Sequence, residues 1–290
     1  MNAQDEKPRE ADFHLGGVSL YNQDVVLGLQ SLGDSSVDLA IADPPYGAFS
    51  GSPSELPEGH VLEGFGGAWR AASHEWDKVD PKQHLDFAVQ WLGELRRIVT
   101  PTGSIWIHAS YHNSGFMNVA CQLLGLEIIN EVVWFKRNAF PNLRGKRLTA
   151  SHETILWVHT GTIKKRQYRF NYEEIKAHEY PEDSIKKAGK QLRTVWDIPN
   201  NKAPSELSFG KHPTQKPERL VQRLIDISGV DGGTLLSPFA GSGTDLVVGM
   251  RNGMKGIGYE LELGYFNLSK KRITAEFEAK QARLEFGGLT

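Results

Sequence analysis

Short apolar runs alternate with amphipathic stretches along most of this 290-residue chain. The run from Val37 to Ala42 has the length and composition of a buried strand, and apolar residues recur at helical spacing between Asp80 and about Ile98. The same order returns late in the chain, where Thr234-Leu235-Leu236 precedes a glycine turn and a helical stretch. Strands that alternate with helices favour a sheet covered on both faces. We therefore expect an α/β fold with a doubly wound, mostly parallel sheet.

A carboxylate, two prolines and a phenol follow the first of these strands directly, as Asp43-Pro44-Pro45-Tyr46. Open parallel sheets bind ligands outside the carboxyl ends of their strands, and the proline pair fixes the backbone there. The Asp43 carboxylate and the Pro44 carbonyl can both accept hydrogen bonds from a planar amine, while the Tyr46 ring stacks on its face. A simple proline-terminated strand would explain the prolines but not the acid. We predict that Asp43, Pro44 and Tyr46 are catalytic.

A second candidate site is the glycine turn from Ser237 to Thr244, which contains Phe239-Ala240-Gly241-Ser242-Gly243. Glycines at such a turn let a bulky ligand approach the backbone, and the next helix presents free N–H groups. A dinucleotide fingerprint would require another glycine at position 246, which is Leu. The pattern therefore favours a nucleoside without a pyrophosphate. Glu260 ends the following predicted strand, and its carboxylate can accept hydrogen bonds from both ribose hydroxyls, although alone it would indicate only a solvated strand end.

A third candidate is the basic segment Lys211-His212-Pro213-Thr214-Gln215-Lys216-Pro217, which precedes an amphipathic helix predicted from Glu218 to Ser228. A proline at the start of a helix, with donors ahead of it, makes an N-terminus that can bind a carboxylate. Taken alone, the segment would indicate no more than a basic capping loop.

Together these motifs resemble the amino-methylating DNA methyltransferases of the beta class, whose motif order is permuted. In that class the Asp-Pro-Pro-Tyr motif comes first and the Phe-x-Gly-x-Gly motif near the C-terminus, as Asp43 to Tyr46 and Phe239 to Gly243 do here. The similarity covers roughly residues 15 to 275. It also includes three further segments, Trp134 to Asn138, Ser151 to Leu156 and Val195 to Pro199.

The resemblance implies a Rossmann-like methyltransferase sheet with permuted motif order and S-adenosyl-L-methionine as the methyl donor. It also implies a set of cofactor-binding residues drawn from all three motifs. These are Asp43, His212, Thr214, Lys216, Ser237, Phe239, Ala240, Gly241, Gly243 and Glu260.

Two positions depart from the pattern of this family. Ser237 stands where the family usually has an aspartate, so a contact from that acid to the cofactor must be weaker here or come from elsewhere. Asn22 stands near the end of the strand Val18 to Tyr21, where the family tends to have an aspartate.

The chain carries a net charge of only −2, but its basic residues are concentrated in the middle. Residues 135 to 216 contain 17 Lys and Arg against 8 Asp and Glu, a local charge of +9. Such a stretch is often a solvated face, but its position between the motifs favours DNA contact, mainly through phosphates. The predicted DNA-binding residues are Arg144, Lys146, Arg147, Lys164, Lys165, Arg166 and Arg169.

These observations give four regions. We expect a disordered N-terminal segment at residues 1–14 and a catalytic half of the methyltransferase domain at 15–138. A mobile, glycine-rich loop at about 47–75 would close over DNA as a lid, unless it is simply an unstructured insertion. The candidate target-recognition region at 139–205 is partly interleaved with the core, and the cofactor-binding half spans 206–290.

The sequence thus predicts a site-specific methyltransferase for double-stranded DNA that acts on the N6 amine of a flipped adenine. Adenine is favoured because the family mostly pairs Asp at the first tetrapeptide position with adenine and Ser with cytosine. The alternatives are cytosine N4 methylation, an RNA or protein-glutamine substrate, and a catalytically silent DNA-binding module. A homodimer and a companion restriction endonuclease are possible partners.

Composition indicates an intracellular protein. The single cysteine, Cys121, excludes an internal disulfide and a cysteine metal cluster, and we expect no metal. No apolar stretch approaches membrane-spanning length, and residues 1 to 10 are too polar for a signal peptide. We expect a cytoplasmic protein that makes no contact with membranes.

Overall fold

The computed structural model describes residues 10–46, 61–62, 69–70, 80–139, 141, 148–161 and 167–287. The disordered start predicted for residues 1–14 is wrong at its end, because Phe13 and His14 belong to a strand that pairs with Val18–Tyr21. Most of the predicted lid, 47–75, lies outside the described residues. Its described part is a two-stranded antiparallel ribbon, β4 (Val61–Leu62) and β5 (Trp69–Arg70).

The centre of the fold is a nine-stranded sheet in the order β1-β2-β11-β10-β3-β6-β8-β7-β9. Five of its neighbouring pairs are parallel and three are antiparallel, which confirms the mostly parallel sheet. Its strands are β1 (Phe13–Leu15), β2 (Val18–Tyr21), β3 (Val37–Ala42), β6 (Val99–Ala109), β7 (Glu127–Phe135), β8 (His152–His159), β9 (Val195–Asp197), β10 (Thr234–Ser237) and β11 (Lys255–Tyr259).

Helices cover both faces of this sheet. They are α1 (Val25–Gln30), α2 (Pro81–Ile98), α3 (Ser114–Leu123), α4 (Tyr172–Ala177), α5 (Glu218–Ser228), α6 (Thr244–Arg251) and α7 (Leu263–Gly287), with a short 3-10 helix at Pro204–Leu207. Helices α1 to α3 pack together over one buried cluster, and α5 to α7 pack together over the other. The doubly wound prediction is therefore confirmed. None of the described helices combines the length and apolar character needed to cross a membrane.

Local sequence explains where several elements begin and end. Asp80 caps α2, since its carboxylate accepts a hydrogen bond from the Lys82 N–H at 2.9 Å, and Pro81 occupies the first turn. The segment from Thr100 to Gly103 follows α2 closely and belongs to β6. The register against β3 shifts there, so the extra residues form a bulge that the ladder tolerates.

The strand order places the two main motifs side by side. Strands β3 and β10 are parallel neighbours, with Leu39 opposite Leu235 and Ala40 opposite Leu236. From β3 the sheet extends towards β6, whereas from β10 it extends towards β11, and the two connections run over opposite faces. The boundary between β3 and β10 is thus a topological switch point, where ligands bind outside the carboxyl ends of the strands.

Candidate active site

The tetrapeptide that follows β3 is held by a compact set of charged hydrogen bonds. Lys216 Nζ lies 2.6 Å from Asp43 Oδ2 and 2.8 Å from the Tyr46 hydroxyl. The Tyr46 hydroxyl in turn lies 2.8 Å from Asp43 Oδ1 and 3.2 Å from Glu153 Oε2, and its single proton can be donated to only one of them. Both oxygens of Asp43 therefore have a donor at hydrogen-bonding distance.

Glu153, at the start of β8, is a member of this set that the analysis of single motifs missed. It accepts a hydrogen bond from Lys136 Nζ at 2.8 Å and lies 3.8 Å from Lys216 Nζ. Burial alone would raise the pKa of Glu153, but the charges of Lys216 and Lys136 outweigh it and lower the pKa to about 2. The carboxylate therefore stays ionised at any physiological pH. The segment Ser151 to Leu156 drew attention only through the family resemblance.

Tyr46 remains a neutral phenol in this environment. Burial raises its pKa well above the ordinary value, and the nearby Asp43 and Glu153 carboxylates raise it further. Its hydroxyl therefore acts as a hydrogen-bond donor to a carboxylate and an acceptor from Lys216.

The glycine turn after β10 has the backbone that the sequence predicts. Gly241 and Gly243 have φ angles of 52° and 73°, in the left-handed region that favours glycine. A Cβ on Gly243 would lie 3.0 Å from Ser269 Oγ, so the turn packs closely against α7. The Gly241 N–H donates to Glu260 Oε2 at 2.8 Å and the Glu262 N–H to Oε1 at 2.8 Å, which fixes the carboxylate beside the turn. Burial raises the pKa of Glu260 to about 6.

A cavity of about 490 Å³ joins the two motifs. Such a volume lies within the range of roughly 300 to 1,000 Å³ that is usual for small-molecule sites. Nearly all predicted catalytic and cofactor-binding residues line it; Ser237 and Gly243 lie behind the surface. The predicted residues in the lining are Asp43, Pro44, Tyr46, His212, Thr214, Lys216, Phe239, Ala240, Gly241 and Glu260.

The lining also includes residues that the sequence analysis did not single out. Val25 comes from the start of α1, Phe87 from α2, Asp245 from α6 and Tyr265 from α7. Phe87 meets Phe239 edge to face, with ring centroids 6.1 Å apart, so part of the wall is aromatic. No local sequence motif marks these four residues as part of a pocket wall.

The N-terminus of α5 binds a carboxylate of this chain, and the basic segment before it lines the cavity. The first N–H of the helix, that of Glu218, already donates to Glu206 Oε2 at 2.9 Å. Lys216 Nζ is directed at Asp43 rather than at the helix end. His212 packs edge to face on Tyr265, with ring centroids 4.2 Å apart, close to Gly241.

The two positions that depart from the family pattern both have hydrogen-bond partners. Ser237 is fully buried, and its hydroxyl donates to Asp245 Oδ2 at 2.7 Å. Asn22 donates through Nδ2 to the carbonyls of Glu260 and Leu261 at 2.8 and 2.9 Å. Asn22 therefore ties β2 to the segment that carries Glu260.

Of the seven predicted DNA-binding residues, only Arg169 lies within the described part of the chain. Its side chain is exposed, and its backbone N–H donates to the Thr102 carbonyl at 2.9 Å. The neighbouring aromatic rings of Tyr168 and Phe170 pack edge to face on Trp157. The others, Arg144, Lys146, Arg147, Lys164, Lys165 and Arg166, lie outside the described residues.

Two further features concern metals and thiols. In the ranges that the structure describes, no three His, Cys, Asp or Glu side chains are grouped so that they could hold a metal ion. Cys121 is buried in α3, and burial raises the pKa of its thiol to about 12.

Comparison with known proteins agrees with this geometry. The DNA methylase family model, N6_N4_Mtase, matches residues 37–271. The chain is 34% identical over 260 residues to the type II methyltransferase M2.DpnII of Streptococcus pneumoniae, covering 89% of this chain and 90% of that protein. It is 37% identical over 246 residues to the type II methyltransferase M2.LlaDCHI of Lactococcus lactis subsp. cremoris, covering 84% and 85%.

Solved structures share the fold. PvuII DNA methyltransferase, which is cytosine-N4-specific, superposes with a TM-score of 0.65 at 16% identity and covers 90% of this chain and 91% of its own. The complex of M1.HpyAVI with S-adenosylmethionine superposes with a TM-score of 0.58 at 23% identity, covering 88% and 98%. The family match and the two close relatives show that this chain belongs to the amino-methylating DNA methylases, as an S-adenosylmethionine-dependent DNA methyltransferase with the permuted, beta-class motif order.

Proposed function

We propose that this enzyme methylates the exocyclic N6 amine of adenine in double-stranded DNA, after the base has left the helix. One observation supports the proposal above others: the Asp43 carboxylate and the glycine turn with Glu260 line the same cavity. A methyl donor held by the turn and a nucleobase amine held by the tetrapeptide would then meet in one enclosed space.

The residues of the cavity fit S-adenosylmethionine well. Glu260 offers an ionisable carboxylate for ribose hydroxyls beside the open backbone of Gly241. Phe239 and Phe87 offer apolar surfaces for an adenine ring. When bound, S-adenosylmethionine supplies an electrophilic methyl group.

Asp43 and Pro44 would hold the amine that is methylated. The carboxylate and the carbonyl oxygen are two acceptors, and together they can orient both N–H bonds so that the nitrogen lone pair faces the methyl group. Negative charge at Asp43 also stabilises the positive charge that develops on nitrogen. Orienting two bound reactants can remove roughly 7 to 11 kcal/mol of a barrier in favourable cases. No covalent nucleophile is needed.

Tyr46 would stack on the extruded base. Extrusion costs a few kcal/mol because pairing and stacking are lost, and base–aromatic stacking is worth about 1 to 3 kcal/mol. In the described structure the hydroxyl of Tyr46 is held by Asp43 and Lys216. Entry of the amine at Asp43 therefore has to rearrange these hydrogen bonds, so the tetrapeptide and Lys216 respond to the base together.

DNA binding is assigned to the region 139–205, between the catalytic half at 15–138 and the cofactor-binding half at 206–290. The local charge of +9 between residues 135 and 216 supports phosphate contacts by its Lys and Arg residues. We expect affinity for duplex DNA to fall steeply with salt. The lid at about 47–75 is also part of the proposal, because it follows Tyr46 directly.

Partners and location complete the proposal. Both close relatives are named type II methyltransferases, which supports a companion restriction endonuclease for this chain. A homodimer and a cytoplasmic location are compatible with a DNA-modifying enzyme. Family membership and the names of both relatives favour DNA methylation over a silent module and over RNA or protein substrates.

Mass spectrometry of nucleosides tests the proposed base. Unmethylated duplex DNA is incubated with the enzyme and S-adenosylmethionine and is then digested to nucleosides. We expect N6-methyladenine. The appearance of N4-methylcytosine without N6-methyladenine would overturn the adenine assignment while leaving the DNA methyltransferase assignment in place.

A further inference from the structure

One buried acid in the cavity has no role in the function proposed so far. Asp245, in the first turn of α6, lines the cavity and is only 7% exposed. Its carboxylate accepts a hydrogen bond from Ser237, a neutral hydroxyl. Within the described part of the chain, no Lys or Arg lies within ion-pair distance of Asp245. A buried carboxylate without a cationic partner is costly for the protein.

Other acids of the same wall are satisfied in a different way. Asp43 is paired with Lys216, and Glu260 accepts two backbone N–H groups. Asp24 caps α1 by accepting hydrogen bonds from Val26 and Leu27. Asp245 differs from these three acids, because a cationic group of a bound ligand could still pair with it.

The charged groups of S-adenosylmethionine indicate which cation could pair with Asp245. Its methionine part carries an α-ammonium group with three N–H donors, whereas its sulfonium has no N–H and cannot donate a hydrogen bond to a carboxylate. Asp245 also lies beside Ser237, the last residue of β10, so its carboxylate stands at the end of the strand that leads into the glycine turn. The carboxylate of Asp245 therefore lines the same cavity as the glycine turn that is expected to hold the cofactor.

We infer that Asp245 accepts the α-ammonium group of the methionine part of the cofactor, with Ser237 orienting its carboxylate. The inference rests on the family's use of S-adenosylmethionine but not on which base is methylated.

Calorimetric binding of two ligands tests this assignment without any need for turnover. S-adenosylhomocysteine has the ammonium group but no sulfonium charge, and its deaminated analogue lacks only the amino group. We expect the wild-type enzyme to prefer S-adenosylhomocysteine by about 10- to 100-fold, as for a hydrogen bond between charged groups. In Asp245→Asn this preference should shrink to threefold or less, while binding of the deaminated analogue changes little.

Two further variants separate binding from a structural effect. Asp86→Asn removes a carboxylate from an exposed position of α2 and should keep the full preference of the wild type. The exchange Ser237→Asp with Asp245→Ser places the acid at the end of the strand, beside its original position, and should restore most of the preference that Asp245→Asn loses. An Asp245→Asn enzyme that keeps the full preference would overturn the inference. Equal loss of affinity for both ligands would also overturn it, because it would show a general effect on the shape of the cavity.

Discussion

Lys216 Nζ lies 2.6 Å from Asp43 Oδ2, although 173 residues separate the two side chains. Lys216 is almost fully buried, and burial alone would lower the pKa of its ammonium group. The carboxylates of Asp43 and Glu153 outweigh that effect and raise the pKa. The lysine is therefore a permanent cation that joins the cofactor-side segment to the catalytic tetrapeptide.

Replacing Lys216 with Met should destabilise the enzyme and slow methylation. Asp43 and Glu153 would lose a buried cationic partner, so we expect the free energy of unfolding to fall by about 1 to 4 kcal/mol at pH 7. The rate of methyl transfer should fall at least tenfold, because Asp43 is no longer held. Chemical denaturation and single-turnover assays measure the two effects. Lys216→Arg keeps the charge and should retain more stability than Lys216→Met; equal losses would show that charge is not what matters here.

Tyr46 should act mainly through its ring. In Tyr46→Phe the ring remains while the hydroxyl that contacts Asp43, Glu153 and Lys216 is lost, and we expect the rate of methylation to stay within about tenfold of wild type. In Tyr46→Ala the stacking surface is lost, worth about 1 to 3 kcal/mol. Duplex DNA with 2-aminopurine at the target position reports the extruded base by its fluorescence. A stronger defect in Tyr46→Phe than in Tyr46→Ala would contradict a stacking role.

Much of this site could be predicted because its motifs are local. The end of β3, the glycine turn and Glu260 each lie within one strand–turn unit, and both the chain order and the residue types identify them. Glu153 and Lys136 could not be found in the same way. Glu153 reaches Tyr46, and Lys136 reaches Glu153, only because β8 and β7 lie beyond β6 in the sheet, an order that no short pattern contains.

Asp245 shows a second reason why the sequence alone does not identify every residue of the site. An acid in the first turn of a helix is ordinary, since it stabilises the helix dipole. Only the fold shows that this acid is buried, faces the cavity and contacts Ser237. Val25 and Phe87 are similar cases, because an apolar residue on a helix indicates burial but not the wall of a particular pocket.

Glu260 should make cofactor affinity depend on pH. Burial raises its pKa to about 6 in the free enzyme, and ribose hydroxyls bind the ionised form best. Affinity for S-adenosylhomocysteine should therefore rise as the pH increases from 5 to 7. Glu260→Gln should bind about tenfold more weakly at pH 7.5 and should lose this part of the pH dependence, as calorimetry at several pH values can establish. An unchanged pH profile in Glu260→Gln would remove Glu260 from the cofactor site.

Asp245 should destabilise the free enzyme when it is ionised. Burial raises its pKa to about 7, against an ordinary value of 3.8, so the folded state binds a proton more tightly than the unfolded state. Asp245 therefore makes its full contribution to the free energy of unfolding below about pH 4, where it is protonated, and this contribution is lost as the pH rises through 7. Without cofactor, Asp245→Asn should be more stable than wild type at pH 8, by on the order of a few kcal/mol. The difference should become smaller at pH 5. Denaturation curves at the two pH values decide the matter, and a variant less stable than wild type at pH 8 would contradict the expectation.

The central claim is that one cavity holds both reactants: Asp43 binds the amine, and the glycine turn and Glu260 bind the cofactor. The most direct test is the single-turnover rate of Asp43→Ala with duplex DNA, measured at a concentration of S-adenosylmethionine that calorimetry shows to be saturating. The account predicts a loss of at least about 100-fold in that rate, as for removal of a preorganised charge, with cofactor affinity still measurable. A rate close to that of the wild-type enzyme would contradict it.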